Sequence, residues 1–122
     1  MIKVMIADDH PIIRNRIRQI LSDESDMSVS CEASTGQEVL DLTCTGEMDV
    51  LVLDFHLTDM NALELLPKLR ARYPHLPILI LSAMSEGMYA KKLISLGAAG
   101  FVGKETATED LARMIREILP GH

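Results

Sequence analysis

Val50-Leu51-Val52-Leu53-Asp54 runs four apolar residues straight into a carboxylate. The run is too short for a helix and too uniformly apolar for a strand with one wet face. It reads as a strand buried on both faces, hence a central strand of a parallel sheet. In open α/β sheets ligands bind outside the carboxyl ends of the strands, and Asp54 stands at such an end.

Working outward, other strands deliver chemistry to the same edge. Ile2 to Ala7 ends in Asp8-Asp9, Pro77 to Leu81 ends in Ser82, and Gly100 to Gly103 ends in Lys104. Met27 to Ala33 alternates loosely through Met27, Val29, Cys31 and Ala33, and reads as a second strand at an edge of the sheet.

Helical signals fill the gaps. Pro11 opens a first helix at a position where its missing N–H costs nothing, with Ile13, Ile17, Ile20 and Leu21 as an apolar stripe. Ser34 or Thr35 caps a short helix from Gly36 to about Thr43. A third runs from about Asn61 to Tyr73 with Leu63, Leu66, Leu69 and Tyr73 inward. Ser85 starts a fourth, carrying Met88, Leu93 and Leu96, and Gly97 follows as a left-handed cap. The last begins at Thr108 with stripe Leu111, Ile115 and Ile118, and Pro120-Gly121 ends it. Five strands alternating with five helices imply a single α/β domain of parallel strands.

Composition narrows the function classes. With 122 residues, 48% hydrophobic and 25% charged, the chain fits an ordinary globular domain. No apolar run approaches a membrane span, and Asp8-Asp9 interrupts any signal-like start, so a cytoplasmic location is expected. A net charge of −6 without a basic patch excludes direct nucleic-acid binding. Cys31 and Cys44 lack C-x-x-C spacing and read as buried thiols. Arg14, Arg16 and Arg18 read as solvated charges, and His10 as a surface histidine at a helix start.

Three carboxylates converging on one point raise one another's pKa unless a cation intervenes. Hard oxygen ligands of this kind suit Mg²⁺. A lysine and a hydroxyl beside them complement phosphoryl oxygens, so the set describes phosphoryl transfer. A carboxylate can itself be the nucleophile, giving an aspartyl phosphate. Asp54, alone at the end of the central strand, is the natural acceptor.

Asp8-Asp9, Asp54, Ser82 and Lys104, in register at strand ends, resemble the response-regulator receiver domain of two-component signalling over essentially the whole chain. Asp8-Asp9-His10-Pro11, Gly100-Phe101-Val102-Gly103-Lys104 and the absence of proline after Lys104 resemble the NarL/LuxR-type transcription regulators. The resemblance implies a flavodoxin-like, doubly wound sheet of five parallel strands in the order 2-1-3-4-5. It implies that Asp54 accepts a phosphoryl group from a sensor histidine kinase. Asp9 would bind Mg²⁺ directly, Asp8 mostly through water, and Asp54 and the backbone carbonyl of His56 would complete the protein ligands. Lys104 would pair with the acyl phosphate, Ser82 would bond a phosphoryl oxygen, and Phe101 would be the switch aromatic. Such a domain is a phosphoacceptor rather than an enzyme, beyond catalysing its own phosphotransfer and dephosphorylation. The subclass implies a helix-turn-helix output domain outside residues 1–122, dimerisation on phosphorylation, and DNA contact only through that domain; a stand-alone receiver acting through protein binding is the alternative.

Two features depart from the family pattern. Thr58 and Ala62 stand where receivers often have proline and glycine, which bears on the loop and not on the chemistry. An aspartyl-nucleophile phosphatase would need an Asp-x-Asp pattern after the first strand, but Asp8 and Asp9 are adjacent. A nucleotide-binding module would need G-x-G-x-x-G or a G-K-[ST] loop, and the chain has neither.

Overall fold

A computed structural model describes the chain except residues 43–47, 105–106 and 120–122, with the side chains of 42, 84–86 and 107–109 also left undescribed. Cys44, Gly46 and Pro120-Gly121 therefore lie outside the described residues, as do the side chains of Leu42, Thr108 and Glu109.

The strands are β1 (Ile2–Ala7), β2 (Met27–Ala33), β3 (Val50–Asp54), β4 (Ile78–Ser82) and β5 (Gly100–Gly103). They form one sheet in the order β2-β1-β3-β4-β5, and every pairing is parallel. The order is the one the sequence led us to expect. The central strand β3 is buried along its whole length, as an apolar run covered on both faces must be.

Alternation along the strands sorts the core into two layers. Met5, Ala7, Leu51, Leu53, Ile78 and Ile80 face one side, under α2 (Gly36–Leu42), α3 (Ala62–Arg72) and α4 (Ala90–Ser95). Ile6, Val50, Val52, Leu79, Leu81 and Val102 face the other, under α1 (Pro11–Ser22) and α5 (Ala107–Ile118). Ile17 and Leu21 of α1, with Leu111 and Ile115 of α5, supply the covering stripe on that side.

Four expectations are corrected. Residues Met27, Val29, Cys31 and Ala33 do not share one face of β2. Val4 pairs with Val29 and Met5 with Cys31, so Ser30 is a bulge. One extra residue switches the pleat: Met27 and Val29 join the α1/α5 layer, and Cys31 and Ala33 the opposite one. Cys31 is half-buried rather than buried. In α3 Leu65 is fully buried, while Leu63 and Tyr73 are only partly so. The fourth helix begins at Ala90, preceded by a 3-10 segment Met84–Tyr89 whose tighter turn carries Met88 to 79% exposure, out of the core.

Two turns set the loops around the site. Thr35 caps α2, its hydroxyl accepting from the Glu38 N–H at 3.1 Å. From the loop after β3, Asp59 adds a second cap: its carboxylate accepts from Gly36 N–H at 2.7 Å and Gln37 N–H at 3.0 Å. Gly36 packs closely against Met60: a Cβ there would meet Met60 Cγ at 2.5 Å and Sδ at 2.7 Å, so the methionine side chain would have to move. After α4, Gly97 takes a φ of 110°, a conformation costly for any other residue.

Candidate functional site

The parallel register aligns the strand ends. Ala7 pairs with Leu53, so Asp8 and Asp54 follow side by side. Asp54 pairs with Leu81, and Ser82 pairs with Gly103 just before Lys104. Hydrogen bonds across the ends continue the ladder: Asp8 N–H donates to Ala33 O at 3.0 Å, Phe55 N–H to Leu81 O at 2.9 Å, and Lys104 N–H to Ser82 O at 2.8 Å. The backbone thus fixes where each of these side chains emerges.

Asp54 is 1% exposed and Asp8 fully buried. Asp54 Oδ1 meets Lys104 Nζ at 2.9 Å, a close charge contact off the ideal hydrogen-bond direction. Asp9 is less buried, and its Oδ2 accepts from Thr58 Oγ at 3.3 Å. Thr58 therefore uses the position where proline was expected to tie the loop to the acidic pair. Ala62 opens α3 with its N–H on Phe55 O at 2.8 Å and no left-handed backbone, so glycine is not needed there.

Burial pushes the Asp54 carboxyl up from 3.8 to about 6. The Lys104 ammonium pulls against that, the Asp8 charge adds to it, and His10 opposes it weakly. Four atoms, one each from Asp8, Asp9, His10 and Asp54, lie within 4.8 Å of one another. Asp8 Oδ2 and Asp54 Oδ2 are buried and have no hydrogen-bond donor among the described residues. Orphaned, converging carboxylate oxygens are what a hard divalent cation satisfies, so the residues fit Mg²⁺.

His10 is the exposed histidine at the start of α1 that was expected, its side chain 55% exposed. Its Nδ1 also lies 2.9 Å from Asp8 Oδ1, 3.1 Å from Asp9 Oδ1 and 3.6 Å from Asp54 Oδ2, at the rim of the acidic cluster. Arg14 and Arg18 are not simply solvated. Arg14 Nη1 donates to Asp8 O at 2.9 Å, and both arginines pair with Glu32 of β2. Of the other expected site residues, Ser82 is buried beside Asp54 on β4. His56 is exposed and bridges Asn61 in the loop. Phe101 is partly buried against the α2/α3/α4 layer.

A family model for the response regulator receiver domain matches residues 4–116. The chain belongs to this family. Curated relatives of this receiver include the response regulator UvrY of Escherichia coli K12, 31% identical over 99% of the chain and 56% of UvrY. The Fimbriae Z protein of Salmonella typhimurium is 32% identical over 98% of the chain and 57% of its own length. The receiver thus spans little more than half the length of these relatives. Among solved structures, a LuxR-family two-component response regulator from Aurantimonas sp. superimposes with a TM-score of 0.90 at 28% identity. That superposition covers 98% of the receiver and 86% of the solved chain. The match supports the LuxR/NarL subclass read from Asp8 to Pro11 and Gly100 to Lys104. Among the described residues of the receiver, no helix is long and apolar enough to cross a membrane.

Proposed function

We propose that this receiver is a phosphorylation-dependent switch in which Asp54 accepts a phosphoryl group from the phosphohistidine of a sensor histidine kinase. One observation carries the reading. Asp54 ends the central strand with one oxygen at Lys104 and the other unpartnered within the acidic cluster. In the step, an Asp54 oxygen attacks phosphorus opposite the imidazole nitrogen. The O–P bond forms as the P–N bond breaks, and the electron pair leaves with the imidazole, which takes up a proton.

Asp8, Asp9, Asp54 and the backbone carbonyl of His56 would hold Mg²⁺, which supplies charge neutralisation for the phosphoryl oxygens. Lys104 pairs with the acyl phosphate, and Ser82 donates to one of its oxygens. Ser82 reaches that oxygen by drawing its loop inward, and Phe101 on β5 then fills the space beside β4. The phosphate acts by its different contacts in two pre-existing states. The altered α4–β5–α5 face changes dimerisation and the behaviour of a DNA-binding output domain outside residues 1–122. The receiver works in the cytoplasm and catalyses no reaction beyond its own phosphotransfer and dephosphorylation.

Incubation with acetyl phosphate and Mg²⁺, read by intact mass, tests the acceptor. The wild type gains a phosphoryl group and Asp54→Asn does not. Undiminished labelling of the variant overturns the assignment.

A further inference from the structure

Phe55 follows Asp54 in the chain, and Tyr89 stands directly before α4. Their rings stack, with centroids 5.2 Å apart and planes 22° from parallel, inside the range over which aromatic pairs attract. The two rings are held differently. Phe55 is 2% exposed within the layer under α2, α3 and α4. Its backbone is fixed on both sides: its N–H donates to Leu81 O at 2.9 Å, and its carbonyl accepts from Ala62 N–H at 2.8 Å. The His56 ring meets it edge-on, with centroids 5.1 Å apart. Tyr89 is 37% exposed and ends the 3-10 segment Met84–Tyr89, which begins just after Ser82. The stack therefore joins a fixed ring at the end of β3 to a ring carried by the segment that Ser82 leads into.

We propose that Tyr89 is a positioning residue for the switch: its stack on Phe55 holds the segment after β4 in the resting arrangement, and seating a phosphoryl oxygen on Ser82 breaks that stack. This role rests on Asp54 as acceptor and on Ser82 as the group that follows the phosphate. Phe101 is the aromatic in that account, and neither Phe55 nor Tyr89 has a part in it. When Ser82 draws its loop inward, the 3-10 segment moves with it, while Phe55 stays with the β3 ladder. Ring pairs attract at close range in offset-stacked or edge-on arrangements, so a shift of Tyr89 alone gives the contact up. The lost contact is a difference between the two states, and only such differences move the equilibrium between them. Removing the stack therefore favours the phosphorylated arrangement. The simpler alternative is that Tyr89 merely covers Phe55 in both states. Its loss then lowers stability and leaves the switch where it was.

Titration with beryllofluoride and Mg²⁺, a mimic of the acyl phosphate, followed by backbone amide spectra, separates the two accounts. Tyr89→Ala should bind beryllofluoride about 2- to 10-fold more tightly than wild type, the worth of one stacked pair. Tyr89→Phe keeps the ring and should match the wild type. Met88→Ala removes an exposed neighbouring side chain and should match it too. Tyrosine emission gives an independent readout. The chain has no Trp and two Tyr, so in Tyr73→Phe the emission is that of Tyr89. Beryllofluoride should raise its quenching by acrylamide. Binding by Tyr89→Ala no tighter than wild type, quenching that beryllofluoride leaves unchanged, or Tyr89→Phe or Met88→Ala behaving like Tyr89→Ala overturns the proposal. A wild type that binds no beryllofluoride overturns the acceptor reading and the coupling with it. A wild type that binds while Tyr89→Ala gains nothing overturns the role of Tyr89 alone and leaves Asp54 as acceptor.

Discussion

Replacing Asp54 by asparagine should make the metal-free protein more stable. The Asp54 carboxyl is 1% exposed and titrates near 6 in the fold, against an ordinary aspartate value of 3.8. A group whose pKa is raised by folding holds its proton more tightly in the native state. Its ionisation therefore opposes folding, fully above the native pKa and progressively less as pH falls from about 6 toward 3.8. At about 1.36 kcal/mol per pH unit, the burden at pH 7 comes to about 3 kcal/mol. Asparagine keeps the shape, drops the charge, and leaves Lys104 (18% exposed) free to turn to water. The gain at pH 7 should be about 2–3 kcal/mol, or about 10 °C in Tm for a domain of this size. At pH 4.5 it should shrink to about 1 kcal/mol, since the wild-type carboxyl is by then mostly protonated in the native state. Urea unfolding of both proteins in chelator, at the two pH values, measures the difference. A variant no more stable than wild type at pH 7, or equally favoured at both pH values, refutes the reasoning. Added Mg²⁺ should narrow the gap by stabilising the wild type more than the variant.

Asp9→Ala should weaken Mg²⁺ binding more than Asp8→Ala, because Asp8 Oδ1 is already engaged by the His10 N–H; equal affinities in a titration would contradict this. Asp59→Ala removes both bonds from the β3–α3 loop to the start of α2 and should cost about 1–2 kcal/mol in urea unfolding. Because the Asp59 carboxyl is held below its usual range chiefly by the Gly36 N–H, this contribution is present above 3.8 and lost as pH falls through the lowered native value. Gly97→Ala forces a Cβ onto a φ of 110° and within 2.5 Å of Arg70 Nε. It should cost about 1–3 kcal/mol, and a thermal shift of zero would show that the turn relaxes freely.

The strands and their polar ends were legible because burial leaves little choice. A strand covered on both faces tolerates only apolar residues, so the change at Asp54, Asp8 or Ser82 marks the sheet edge by itself. The β2 bulge was not legible, since it is a property of the pairing: Ser30 is unremarkable until Val4 and Met5 are seen to skip it. Asp59 capped α2 unannounced because its partners lie more than twenty positions away. Met88 misleads because a helical period places it inward, whereas the chain there turns more tightly. His10 did leave a signal. A residue before Pro11 is kept out of the helical region, so its side chain leans back over the strand end rather than onward along α1.

The features that made the site readable also set its energetics. Asp54 is almost as buried as the leucines beside it, so its charge is costly wherever no cation answers it. Lys104 answers one oxygen, and the other has no hydrogen-bond donor among the described residues. The remaining imbalance is what gives a bound cation or a phosphoryl group leverage over the fold. A neutral residue at the end of β3 would yield a more stable sheet with nothing to sense, and a solvent-exposed acid would bind with no consequence for its surroundings. A buried acid at the end of β3 avoids both, because its charge, the buried Ser82 at the end of β4 and the Lys104 ammonium lie together at one edge of the sheet.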